Sequence, residues 1–203
     1  APFHLPKAQV AGGGVIVIAE DIPQSTVRFG ENGIKRDDPD YFAARLLNYT
    51  LGGGGFNSRL TEEVREKRGL AYSVHSGLYP FEASALTLGG AGTANARVSE
   101  TLKVIADQWR LMAEKGVGDN ELVDAKRYLT GAFPLRFSSS GRIARMLVGM
   151  QVSNLGIDYL QKRNSYIEAV TRQDIHRVAK KLLDAKRLTT IVVGQPKGVE
   201  STY

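Results

Sequence analysis

The spacing of hydrophobic residues changes several times along the chain, and each change marks an element. Val15-Ile16-Val17-Ile18 is a β-branched run, the pattern of a buried strand. Asp21-Ile22-Pro23-Gln24 breaks it. Ser25 to Gly30 then alternates around Val27 and Phe29, which predicts a second strand. Asp38-Pro39 reads as a helix start, with Phe42, Leu46 and Tyr49 at i, i+4 and i+7 on one face. Gly52 to Gly55 stops that helix. Asn57 or Ser58 caps the next, whose inner stripe is Leu60 and Val64, and Gly69 stands where a left-handed helix end is expected. Ala71 to Tyr79 and Ser84 to Gly92 read as an antiparallel pair separated by Pro80-Phe81-Glu82.

Helical spacing dominates the second half. From about Ala96, Leu102, Ile105, Trp109 and Met112 mark the buried side of a long helix ended by Gly116-Val117-Gly118. Asp119 opens another through Leu122, Leu129 and Phe133 to Pro134. A helix from about Ser139 carries Ile143, Leu147 and Met150, and a short one spans Tyr159 to Ile167. Thr171-Arg172-Gln173-Asp174 resembles a capping box before Ile175, Val178, Ala179 and Leu182. Leu188 to Val193 is the last strand, and the tail after Gly194 is expected to be loose. Strands and helices are mixed without regular βα alternation. The predicted class is α+β, a largely antiparallel sheet with helices packed on one face. The organisation is a linker over 1–12, one domain over 13–194 and a tail over 195–203.

Composition narrows the chemistry. The net charge of +6 raises nucleic-acid binding, but the basic residues alternate with acids, as in Glu62-Glu63-Val64-Arg65-Glu66-Lys67-Arg68. That is a solvated helical face, so no nucleic-acid partner is expected. No apolar run approaches the length of a membrane span, so no membrane partner is expected either. The absence of cysteine excludes disulfides, thiolate metal sites and a cysteine nucleophile, and leaves the compartment open between cytoplasm and periplasm. His4, His75 and His176 are too far apart for metal-ligand spacing, and each reads as structural, so no metal site is expected within the chain.

Gly52-Gly53-Gly54-Gly55 before a helix has three readings: a tight turn where backbones pass closely, an anion cradle, or a flexible loop beside a peptide groove. The Gly-Lys-Ser/Thr ending of a phosphate loop is missing, because Phe56-Asn57-Ser58 follows. Gly53, Gly54 and Phe56 are kept as substrate-binding candidates. Beyond them, Arg65 falls in the last turn of a charged helix and Tyr72 early in a strand. A reversal at Gly69 would let both side chains project towards one spot, where a fixed cation and a phenolic donor can stabilise an oxyanion. The competing reading pairs Arg65 with Glu62 and leaves Tyr72 as a half-buried strand aromatic.

The segment Phe56-Asn57-Ser58-Arg59-Leu60, followed by Arg65-Glu66 and Gly69-Leu70-Ala71-Tyr72, resembles the second domain of the inverzincins, the pitrilysin and mitochondrial-processing-peptidase family. Looser similarity covers about residues 13–194, including Asp37 to Tyr41 and Phe133-Pro134-Leu135-Arg136. The resemblance implies an α+β half-domain of a zinc metalloendopeptidase. In that family the first half carries an inverted His-x-x-Glu-His motif, which this chain lacks. Zinc and general base are therefore implied to sit on a homologous half, in the same polypeptide or in a partner subunit. Arg65 and Tyr72 match the arginine and tyrosine implied to contact the substrate carbonyl and stabilise the tetrahedral intermediate on an extended peptide. Alone, the chain is expected to bind no zinc and cleave nothing. The alternative is a non-catalytic scaffold or substrate-binding subunit.

Overall fold

The computed structural model describes residues 12–202. Apart from Gly12, the expected linker lies outside the described residues. Five strands form one sheet: β1 (Val15–Ala19), β2 (Gln24–Asn32), β3 (Ala71–Pro80), β4 (Ala85–Ala94) and β5 (Thr189–Gly194), in the order β1-β5-β2-β4-β3. Every pairing is antiparallel except β1 with β5, which run parallel with Val15 opposite Thr190. Alternation sets the two faces. Ser25, Val27, Phe29 and Glu31 of β2, with Thr87, Ala91 and Thr93 of β4, are buried. The intervening residues form an open face.

Six helices accompany the sheet, α1 (Tyr41–Asn48), α2 (Val98–Lys115), α3 (Asp119–Gly131), α4 (Ser140–Val152), α5 (Tyr159–Ala169) and α6 (Arg172–Leu182), and α1 and α2 pack directly on it. Of the predicted stripe of α2, Ile105, Trp109 and Met112 are buried and Leu102 is half-buried, with Val98 and Val104 also buried. Trp109 meets Phe29 edge-on, with ring centroids 5.7 Å apart. Its Nε1 donates to Glu31 Oε1 at 2.5 Å, and that oxygen also accepts from the backbone N–H of Asp184 at 3.1 Å. A buried carboxylate thus ties β2 to α2 and to the start of the last crossover. Burial pushes the Glu31 carboxyl up, more strongly than Trp109, Asp184 and Arg187 pull it down. On α6, Thr171 and Asp174 form the predicted capping box: Asp174 N donates to Thr171 Oγ1 at 3.1 Å, and Thr171 N donates to Asp174 Oδ2 at 2.9 Å.

Several expectations change. The Val15 run is an edge strand rather than a buried one, with Ile16 and Ile18 exposed on the open face. The first helix begins at Tyr41, because Asp38 Oδ1 accepts from Asp40 N and holds the residues around Pro39 in a turn. The Asp119 helix ends at Gly131, and Phe133–Phe137 forms a separate 3-10 turn containing Pro134, which lacks the N–H to continue the helix. On α4 only Met150 is buried, while Ile143 and Leu147 face outward. The tail is not loose. Val15 N donates to Thr202 Oγ1 and Thr202 N returns to Val15 O, at 2.8 and 2.9 Å, and Val17 N donates to Ser201 Oγ at 2.8 Å.

Candidate functional site

The site candidates occupy an irregular bridge between α1 and β3. Tyr49–Gly53 and Thr61–Glu66 are both π-helical turns, a geometry often found at functional sites. They flank a 3-10 turn at Gly55–Asn57. The glycines permit close passage. A Cβ on Gly52 would lie 2.8 Å from both Ser76 N of β3 and Leu60 Cδ1. One on Gly54 would lie 2.8 Å from Tyr49 O, and one on Gly53 would meet Asn48 Nδ2 at 2.6 Å. The tight-turn reading of the glycine run accounts for these contacts.

The motif after the glycines divides by role. Ser58 is buried, and its Oγ donates to Gly55 O at 2.8 Å. Leu60 is fully buried. Arg59 makes a two-pronged contact with Glu121 of α3, Nε to Oε1 and Nη2 to Oε2, both at 2.6 Å, and also donates to Gly116 O at 3.0 Å. Burial alone would raise the Glu121 carboxyl, but Arg59 and the Gly118 N–H hold it below its ordinary range. Phe56 is left outside, 70% exposed.

Gly69 has φ +58 and Leu70 N donates to Val64 O at 2.8 Å, so the chain reverses there as expected. Strand β3 then opens with an irregularity. Ala71 pairs with Thr93 and Ser73 with Gly92, leaving Tyr72 as an extra residue. Such a bulge re-aims a side chain, and Tyr72 is 80% exposed rather than half-buried. The Arg65 guanidinium lies 4.8 Å from the Phe56 ring centroid and 5.4 Å from that of Tyr72. The structure therefore brings Phe56, Arg65 and Tyr72 together and leaves Gly53 and Gly54 as their support.

The pairing of Arg65 with Glu62 does not occur. In the π-helical turn Lys67 N reaches back to Glu62 O, and Lys67 Nζ takes the Glu62 carboxylate at 2.9 Å. Arg65 contacts Glu66 instead, through Nε at 3.3 Å. Among the described residues no carboxylate or carbonyl engages its Nη groups, and the guanidinium lies between the rings of Phe56 and Tyr72.

A groove of about 770 Å³ opens on the Phe56 side of the cluster, and neither Arg65 nor Tyr72 lines it. Its walls include Tyr49, Phe56, Glu62, Glu66, Asp124 and Tyr128. Tyr49 and Tyr128 stack with centroids 5.0 Å apart. Burial pushes the Tyr49 hydroxyl up, and a hydrogen bond with Asn57 opposes it. Sequence reasoning missed this wall because Asp124 and Tyr128 reach Phe56 only through the packing of α3. Among the described residues no three His, Asp or Glu side chains are placed to share a metal ion. No described helix is long and apolar enough to cross a membrane.

A family model described as the peptidase M16 inactive domain matches residues 1–129. A Streptomyces coelicolor protein named as an uncharacterized zinc protease is 33% identical over 195 residues, which is 95% of this chain and 41% of the relative. A Helicobacter pylori protein named as a non-peptidase homolog is 27% identical over 182 residues, 89% of this chain and 42% of its own length. The chain thus spans less than half the length of these curated relatives. The crystal structure of a peptidase M16 inactive domain from Pseudomonas fluorescens matches with a TM-score of 0.88 and 32% identity, covering 98% of this chain and 47% of that one. With the family model spanning more than half of its length, this chain belongs to the peptidase M16 inactive-domain family.

Proposed function

We propose that this domain is the assisting half of a zinc metalloendopeptidase, supplying Arg65 and Tyr72 to the tetrahedral intermediate of peptide hydrolysis. The observation that carries this reading is the bulge at Tyr72, which leaves its side chain 80% exposed with its ring centroid 5.4 Å from the Arg65 guanidinium. A cation and a hydroxyl donor converging from outside act on negative charge developing on a carbonyl oxygen. The zinc implied by the family belongs to a companion half, and the work of this chain is confined to orienting and stabilising. The groove at Phe56, with its stacked tyrosines, offers an extended peptide a wall.

The test is a chimera in which this chain replaces the matched 195 residues of the Streptomyces relative. Tyr72→Phe keeps the ring and removes the donor. The expected result is a kcat lower by ~10²-fold with KM nearly unchanged. Unaltered turnover in the variant would sink the role given to Tyr72. A second reading, a non-catalytic subunit, draws support from the Helicobacter relative named as a non-peptidase homolog. On that reading the unmodified chimera shows no hydrolysis.

A further inference from the structure

The open face of the sheet carries a cation that the fold does not use. Strand register places Ile16, Ile191, Arg28, Gly90 and His75 in one row across all five strands. Their strand neighbours Val192, Val27, Ala91 and Val74 are buried, so the row lies on the opposite, open face. Across the five strands the only acid is Glu31, which is buried on the other face, and the only lysine or arginine is Arg28. Arg28 and His75 are both exposed, and neither has an ion pair or hydrogen bond among the described residues.

The two side chains close on one spot. A Cβ on Gly90 would lie 2.4 Å from Arg28 Nη1 and 3.2 Å from His75 Cε1, so glycine here leaves room for the guanidinium beside the imidazole. Every form of an imidazole keeps at least one N–H, so the spot offers a fixed cation and a second donor to an anion. Beside Arg28 lies a hollow of about 310 Å³, lined also by Gly30, Leu86, Leu88, Thr189 and Ile191. Mostly apolar walls with one cation at the rim suit a ligand that carries an apolar side chain close to a carboxylate. Gly30 is two residues from Arg28, ~7 Å along the strand, and an extended peptide repeats on one face at the same ~7 Å. His75 stands three residues beyond Tyr72, at most about 10 Å along β3, which is about three residues of extended peptide.

We infer that Arg28 and His75 form a carboxylate subsite for the peptide, with the hollow over Gly30 taking the neighbouring apolar side chain. The inference rests on the peptidase reading above for the ligand being a peptide. The carboxylate has two sources with the same chemistry. One is an acidic side chain with an apolar residue two positions away. The other is the C-terminus of a peptide whose last residue is apolar.

Calorimetric titration of this chain with two pairs of N-acetylated peptides tests it. The first pair is Ala-Glu-Ala-Leu-Ala amide and its Gln counterpart. The second is Ala-Ala-Ala-Leu as free acid and as amide. In one pair the carboxylate form is expected to bind about tenfold more tightly than the neutral form, and that pair identifies the source. Arg28→Gln should abolish the difference and leave the Tm unchanged, because the side chain is exposed and unpaired. Gly90→Ala keeps both groups but fills the space between them, and should weaken the carboxylate form more than the neutral one. No binding, or equal affinity within both pairs, would overturn the inference, as would a preference that survives Arg28→Gln. Self-association of the chain that is lost in Ile191→Glu would assign the face to a second copy instead. Binding is read without turnover. An inactive chimera that keeps the preference counts against the peptidase reading alone, and an active one without it counts against the subsite alone.

Discussion

Removing the buried carboxylate of Glu31 isolates what it contributes. Glu31→Ala leaves the Trp109 Nε1–H, on a side chain that is 0% exposed, and the Asp184 N–H without their shared acceptor. An unsatisfied buried donor costs ~1–3 kcal/mol, and the Asp184 group is only partly buried. Relief of the desolvated charge offsets part of the loss, so the net destabilisation expected is about 2–4 kcal/mol. Glu31→Gln behaves differently, because its carbonyl oxygen can still accept from both donors, and a loss below ~1 kcal/mol is expected. The pH dependence has a definite sign. A carboxyl whose folded pKa is raised binds more protons in the folded state, so its contribution falls as pH rises from 4.5 through the raised value. That component should vanish in Glu31→Gln. Urea unfolding followed by tryptophan fluorescence is the assay, and the chain has one tryptophan, Trp109 itself. Near-wild-type stability of Glu31→Ala at neutral pH would refute the reasoning, and so would an unchanged pH profile in Glu31→Gln.

Gly52→Ala should cost about 1–3 kcal/mol, because the new methyl meets the β3 backbone at Ser76; calorimetry would show a Tm lower by about 2–4 °C per kcal/mol. Arg59→Ala removes the clamp between the motif turn and α3, and partial exposure limits the expected loss to about 1–2 kcal/mol in urea unfolding. Asp40 accepts from Arg177 at 2.8 and 2.7 Å, and those hydrogen bonds hold its carboxyl below the usual range. Its contribution is present above pH 3.8 and lost as pH falls through the depressed value, so Asp40→Asn should cost ~1 kcal/mol at pH 7 and be nearly neutral in strong acid.

Much of the fold follows from side-chain period, and the exceptions have physical causes. The stripe of α2 and the capping box of α6 are local patterns, and both stand in the structure. The runs at Val15 and Ile143 carry the same hydrophobic signal, yet they lie at a sheet edge and on an open helix face. Period reports which residues share a face and is silent about what packs against it. At the site, the reversal at Gly69 was legible because few residues other than glycine adopt positive φ. The bulge at Tyr72 was not, since it depends on register with β4. The π-helical winding that takes Glu62 away from Arg65 was equally invisible, because side-chain spacing assumes an ordinary helical turn.

The parallel pairing of β1 with β5 has a consequence for synthesis. Among the described strands, the only neighbour of β1 is β5, and β5 also inserts beside β2. Val15 therefore waits for Thr190 to emerge before its ladder can form. At a translation rate of about 5–20 residues per second, that delay is roughly 10 to 35 s. Throughout it the Val-Ile-Val-Ile run has no strand to pair with, while β2, β4 and β3 can already assemble. The sheet is then completed from within by β5, and the Val15 run is the described strand that stays unpaired longest.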